Sequence, residues 1–230
     1  MEADNHPVSR REFEDLRREL DRQQSIEAIR RLHYAYGYYM DRLLFDEVVA
    51  LFEDDCSIHF QGGVYLGKSG ARRLYGGRLG QFAQRKGLLV DHLMLQGVID
   101  IGPGGSTADA RFRCLVQGGV HETVAAAEGR RNQYWHSGLY ENSYSRASGV
   151  WRIQTFRYTT VWEADYDLGW GKADPEGNRA KPADTCFSED PYGPDRLEAM
   201  PALFPDNETV PFHYPNPVTG QRWSATATEG

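Results

Sequence analysis

The chain has 230 residues, 40% of them hydrophobic and 26% charged, with a formal net charge of -7. That length suits one domain with extensions, or at most two small ones, around a core that stands without disulfides, and the acidic balance repels a nucleic-acid backbone. Cys56, Cys114 and Cys186 are widely spaced and form no CxxC pair, so neither a disulfide framework nor a zinc site is expected and a reducing, cytoplasmic setting is the simpler reading.

The first residues hold no apolar run, and no stretch approaches the ~18 apolar residues of a membrane helix, so neither a signal peptide nor a membrane span is predicted. Residues 9–24 read as an exposed helix opened by Ser9 and Glu12 at capping-box spacing. Phe13, Leu16 and Leu20 make one weak apolar stripe on it, either a solvated edge or a surface for a partner. Residues 25–41 form a second helical segment, with Ile26, Ile29 and Leu32 at helical spacing. A third is predicted from an Asp46 N-cap through EVVALFEDD. SIHF reads as a short strand, QGGVYLG as a turn and another strand, and KSGARRLYGGRLGQFAQR as a helix weakened by Gly76 and Gly77.

From residue 88 the period changes to two. Four long strands follow: LLVDHLMLQGVIDI, TADARFRCLVQGGV, RNQYWHSGLYENSYSR and GVWRIQTFRYTTVW. Helices first and then strands with short connections predict an α+β fold, with helices packed on one face of a curved antiparallel sheet. Residues 165–230 carry nine of the eleven prolines but keep frequent aromatics, including Trp170, Phe187, Phe212 and Trp223. A disordered tail is poor in aromatics, so this segment is expected to be an irregular arm packed on its own domain or a neighbouring subunit. The division is therefore an N-terminal helical extension over 1–24, a domain over 25–164 and the arm over 165–230.

Two residues stand out chemically. Tyr34, Tyr38 and Asp41 fall on one helical face, with Gly37 beside them leaving room for a ligand or a backbone. A carboxylate ending an aromatic stripe needs a partner if buried; otherwise it pairs with Arg42 or meets solvent. His92 sits in the first long strand, sharing by alternation a face with Met94, Gln96 and Val98. Alone it is either a structural histidine or a catalyst.

The stretch IEAIRRLHYAYGYYMDRLLFDEVVALFEDD, then HFQGGVYLGKSGARRLY, then Asp91–His92, resembles the SnoaL-like branch of the nuclear transport factor 2-like superfamily. Gly138–Tyr140 and Gly149–Ile153 fill its later strand motifs, and the match spans roughly residues 25–162. The resemblance implies a cone-shaped pocket. In its dehydratase and dehydrohalogenase members an Asp–His pair works in that pocket, a role that carries over to Asp41 and His92.

On that reading His92 is a general base, and Asp41 fixes its tautomer and stabilises the imidazolium. Tyr34 and Tyr38 could supply hydroxyl donors. Arg111 or Arg113 could supply a cation, or simply make surface ion pairs. Trp135, His136, Tyr140 or Asn142 could line the third long strand, with Trp135 on the opposite face from the other three; the family pattern favours Tyr140. No metal constellation, GxGxxG turn or P-loop stands out, so no metal or cofactor is expected.

The implied function is a cofactor-independent lyase on a hydrophobic aromatic substrate. Length, aromatic content and the NPVTG-containing arm are similar to the lignin diarylpropane γ-formaldehyde lyases, which eliminate water and formaldehyde. Rival readings are a polyketide-type cyclase or isomerase, the non-catalytic small subunit of an aromatic-ring dioxygenase, and a binding module without turnover. A homo-oligomer, dimer or trimer, is expected, with no nucleic acid or membrane partner.

Overall fold

The computed structural model describes residues 8–82, 86–124, 133–172, 191–202, 204–206 and 208–224. Cys56 and Cys114 are buried and unpaired, while Cys186 and Phe187 lie outside the described residues. No described helix is long and apolar enough to cross a membrane.

The two predicted N-terminal helices are one, α1 (Arg10–Asp41). Ser9 caps it: its Oγ accepts from the Glu12 N–H at 3.2 Å, and the Ser9 N–H donates to Glu12 Oε2 at 2.8 Å. Nothing at residue 24 stops the helix, because Gln and Ser there carry no Gly or Pro signal. Ser25 is buried, and its Oγ accepts from Arg146 Nη1 at 3.1 Å. The first half of α1 is largely exposed; the second half buries Ile29, His33, Tyr36 and Met40, a stripe at steps of four, three and four.

A turn through Leu43, with φ of 54°, leads into α2 (Phe45–Ala50). Its N-cap is Leu44, not Asp46; Asp46 and Glu47 occupy the first turn, where carboxylates still favour the helix dipole. The predicted helix also stops earlier than expected. Phe52 begins β1 (Phe52–Phe60), which runs parallel to β6 (Val150–Asp165). Phe52 and Cys56 are fully buried there, so sheet packing overrides the helical reading of FEDD.

β2 (Gly63–Leu66) turns back on β1, and α3 (Gly67–Arg72) follows. Beyond it the chain widens to a π-helical stretch over Arg73–Leu79. Gly77 is needed there, since a Cβ would meet the Tyr192 ring at 2.2 Å.

The long strands are β3 (Leu88–Ile101), β4 (Thr107–Val120), β5 (Gln133–Ala147) and β6, joined antiparallel. With β1, β2 and β7 (Arg196–Leu197) they make a curved, unclosed seven-stranded sheet in the order β3-β4-β5-β6-β1-β2-β7. The helices lie on its inner face. Phe112, Cys114, Val116, Tyr140, Tyr144, Ile153 and Phe156 join the α1 stripe in the core.

Asp195 ties the arm to the β2 edge of the sheet, and Val210–Phe212 hold it to the outer face. Arg73 Nη2 donates to Asp195 Oδ2 at 2.5 Å, and the Leu66 N–H donates to the same oxygen at 2.8 Å. Arg111 Nη2 donates to the carbonyls of Val210 (3.0 Å) and Pro211 (2.6 Å), and its guanidinium lies 4.2 Å from the Phe212 ring centroid.

Candidate active site

Asp41 ends α1 where β3 passes. Its Oδ1 accepts from the His92 backbone N–H at 2.9 Å and lies 2.8 Å from His92 Nδ1. Both side chains are 11% exposed. A carboxylate only accepts, so Nδ1 carries the proton and Nε2 is left as the basic nitrogen. α1 can approach β3 this closely because Gly37 has no side chain: a Cβ there would sit 3.0 Å from Met94 Cε and 3.6 Å from the His92 carbonyl.

His92 lines a cavity of about 310 Å³ between the helices and the inner face of the sheet. Its other walls include Tyr36 and Met40 from α1, Phe45 from α2, Val90 from β3, Val116 from β4, His136 and Tyr140 from β5, and Tyr158 from β6. Burial pushes the phenols of Tyr36, Tyr140 and Tyr158 above the ordinary tyrosine range, so these hydroxyls stay protonated as donors. Tyr36 Oη accepts from Tyr75 Oη at 3.3 Å. Tyr158 Oη is buried beside the Thr160 side chain. It sits over Gly138, where a Cβ would come within 2.3 Å of that oxygen.

Of the residues expected from sequence, His92, His136 and Tyr140 line this cavity, and Asp41 stands behind His92 as its partner. Tyr34 and Tyr38 do not: they are 37% and 74% exposed, because the buried stripe of α1 runs through His33, Tyr36 and Met40 instead. Arg113 is exposed; on β4 the even-numbered Phe112, Cys114 and Val116 point inward and the odd positions outward. Trp135 also faces outward and stacks on Tyr166, with centroids 5.7 Å apart. Asn142 shares the inner face of β5 but is committed to structure. Its Nδ2 donates to Tyr144 Oη at 3.1 Å, and its Oδ1 accepts from the Arg157 N–H at 3.1 Å.

The expected β3 face is also corrected. A bulge between Met94 and Gly97 adds one residue, so the inner set runs His92, Met94, Gly97, Ile99, and Val98 pairs with outward Arg111. Among the described residues, no group of three or more His, Cys, Asp or Glu side chains is placed to hold a metal ion.

Missed from sequence were Tyr36, Met40 and Tyr158. The first two were signalled by extending the Ile29 spacing down the helix; Tyr158 carried no signal apart from its inward parity with Phe156.

Compared with protein families, the chain matches the SnoaL-like domain over residues 21–157. Among solved structures it is similar to a protein from Novosphingobium aromaticivorans DSM 12444 described provisionally as a scytalone dehydratase. Identity is 19% over 69% of this chain and 97% of that one, with a TM-score of 0.52. It is similar to LinA at 20% identity over 64% of this chain and 92% of that one, with a TM-score of 0.55. The hexachlorocyclohexane dehydrochlorinase LinA-type3 from Novosphingobium barchaimii LL02 aligns at 19% identity, with the coverage 64% and 92% and a TM-score of 0.53. At these identities the likeness is one of fold. No curated protein sequence matches the chain.

Proposed function

The chain belongs to the SnoaL-like domain family, and from that premise we propose that it is a cofactor-independent lyase acting on a hydrophobic aromatic substrate. The observation that carries this reading is the Asp41–His92 contact at the wall of an aromatic cavity. A histidine with one nitrogen held by a carboxylate and the other directed to bound substrate is the arrangement general base catalysis requires.

In this reading His92 Nε2 takes a proton from the substrate, and Asp41 stabilises the imidazolium that forms. Tyr158 Oη, a phenol in the cavity wall that burial keeps protonated, binds the departing oxygen. In a dehydration the proton comes from carbon, and hydroxide leaves as water after receiving a proton. In a diarylpropane diol the proton comes from the terminal hydroxyl. The C–C bond then breaks to release formaldehyde, its electrons form the new C=C bond, and the benzylic hydroxyl departs as water. The lignin-derived diarylpropane is the substrate we favour within this class.

The test is turnover of a 1,2-diarylpropane-1,3-diol without added metal or cofactor, with formaldehyde trapped and the stilbene followed by absorbance. His92→Ala and Asp41→Asn, shown folded by near-ultraviolet circular dichroism, are expected to lose on the order of 10²–10⁴ in kcat. Unchanged turnover in both would remove the pair from the mechanism. Wild-type inactivity on diols alongside activity on a simple dehydration substrate would narrow the reaction to water loss.

A further inference from the structure

A second cavity, also of about 310 Å³, lies on the outer face of the sheet beneath the C-terminal arm. His59 and Arg157 are in its floor, and residues 198–201 and 208–211 roof it. It shares Phe60, Gln61, Tyr158, Thr160 and Glu163 with the His92 cavity. The topology explains the shared wall. β1 ends at Phe60 while β6 continues to Asp165, so beyond Phe60 the flank of β6 is no longer covered by β1. The arm crosses there, with the Phe204 N–H donating to the Val161 carbonyl at 2.9 Å. What separates the chambers at this rim is side chain: Phe60 and Tyr158 stack with centroids 6.1 Å apart.

The outer chamber is built for an oxygen-bearing group. Both Glu198 oxygens lie 2.9 Å from His59 Nδ1, and Arg157 Nη1 donates to Glu198 Oε1 at 2.9 Å. His59 is 8% exposed and Arg157 41% exposed. The guanidinium has five N–H donors, and among the described residues only Glu198 and, at 3.4 Å, His59 Nε2 engage its terminal nitrogens. A phenolic hydroxyl fits such a place, since it accepts from Arg157 and donates to Glu198, while Met200, Val210 and Pro211 supply apolar wall for its ring.

We propose that the two cavities form one bipartite site, in which the arm-roofed chamber binds the far, phenolic end of an elongated substrate whose reacting carbons lie against His92. This rests on the reading of the His92 cavity as the reaction site. Each chamber alone stands at the low end of the ~300–1,000 Å³ usual for ligand sites, which suits one ring in each. The Phe60 ring turns aside to let the linker through while Tyr158 keeps its place over Gly138, and the arm becomes a determinant of substrate length.

The probes are 4-methylphenol and the two-ring 4,4′-ethylenediphenol, titrated calorimetrically into the full chain and soaked into its crystals. Two molecules of 4-methylphenol per chain are expected, one beside His92 and one beside Arg157, against one ethylenediphenol bound at least tenfold more tightly. Ala199→Trp, which adds bulk from an exposed roof position, is expected to reduce the 4-methylphenol count to one and abolish the two-ring advantage. Arg157→Leu is expected to weaken ethylenediphenol at least tenfold. Binding of 4-methylphenol beside His92 alone, with no two-ring advantage, would overturn the bipartite site and leave the lyase reading standing. An empty His92 cavity, whatever the outer chamber holds, would overturn both.

Discussion

A single oxygen, Asp41 Oδ1, accepts from two groups of one residue: the His92 backbone N–H at 2.9 Å and His92 Nδ1 at 2.8 Å. The carboxylate thus fastens β3 to the end of α1 and sets the imidazole tautomer in the same contact. Asp41→Ala removes both hydrogen bonds. At about 1.5–3 kcal/mol for a hydrogen bond to a charged group, the loss of stability in urea is expected to be roughly 2–4 kcal/mol. Asp41→Asn keeps a neutral acceptor and should lose less than half of that, yet lose most activity. Ring ¹⁵N shifts of His92 report the cause: one Nδ1–H tautomer in the wild type and a mixture in Asp41→Ala. A single unchanged tautomer in Asp41→Ala would show that Asp41 does not set it.

The same contact depends on Gly37. A Cβ there meets Met94 Cε at 3.0 Å, the end of a flexible side chain, so Gly37→Ala is expected to fold with little loss as Met94 swings aside. Gly37→Val cannot be absorbed so locally. Its added methyls press on β3 near the His92 carbonyl, costing roughly 1–3 kcal/mol and lengthening the Asp41–His92 contact. The expected signature is a fall in kcat in Gly37→Val well beyond that in Gly37→Ala. Equal kcat in the two would show that the helix–strand spacing is not what glycine protects.

How far the site could be read from sequence depended on whether local spacing carried it. The capping box at Ser9–Glu12 and the period of the long strands are local, and they are present as expected. Asp41 and His92 could be named because a carboxylate at a helix end and a histidine in a strand are visible singly; their contact spans 51 residues and came only from the family resemblance. The helix face was misread because two stripes compete on α1. Tyr34 and Tyr38 look like the functional one, but His33, Tyr36 and Met40 continue the Ile29 spacing and are buried. The bulge at Met94–Gly97 leaves alternation intact in the sequence and breaks it in space. Arg111 and Arg113 share a strand face; the arm residues Val210–Phe212, distant in sequence, make the first buried and leave the second exposed.

Tyr158 and Gly138 make a pair on adjacent strands. The Tyr158 ring occupies the space a Cβ on Gly138 would fill, with Oη 2.3 Å and Cζ 2.4 Å from that position. Gly138→Ala therefore displaces the ring, while Tyr158→Phe leaves it in place without its hydroxyl. If the hydroxyl stabilises the leaving oxygen, Tyr158→Phe is expected to lower kcat by about 10²–10³ with little change in stability. Gly138→Ala should lose comparable activity and, in addition, roughly 1–3 kcal/mol of stability. A fully active Tyr158→Phe would move the donor role to another cavity phenol, Tyr140 being next on the same face.

His33 supplies a pH dependence separable from catalysis. Its ring is fully buried, lies 3.9 Å from the Phe112 ring in a near-parallel stack, and has no hydrogen-bond partner at either nitrogen. Burial pushes its pKa down from 6.5 to about 3. The unfolded chain therefore takes up a proton as pH falls through 6.5, and the folded chain does not until about 3. Stability is at its full value above 6.5 and declines below it, by up to about 1.4 kcal/mol per pH unit, until the folded ring itself protonates. Replacing the imidazole with a group that never ionises removes this slope. His33→Phe keeps a ring against Phe112, and His33→Leu guards against overpacking. Both are expected to flatten the fall in urea midpoint between pH 7 and pH 4.5 while leaving the pH 7 midpoint within about 1.5 kcal/mol of wild type. An identical acid slope in both variants would mean that the carboxylates, protonating at lower pH, carry the acid sensitivity and that His33 is charged or solvated in the folded chain.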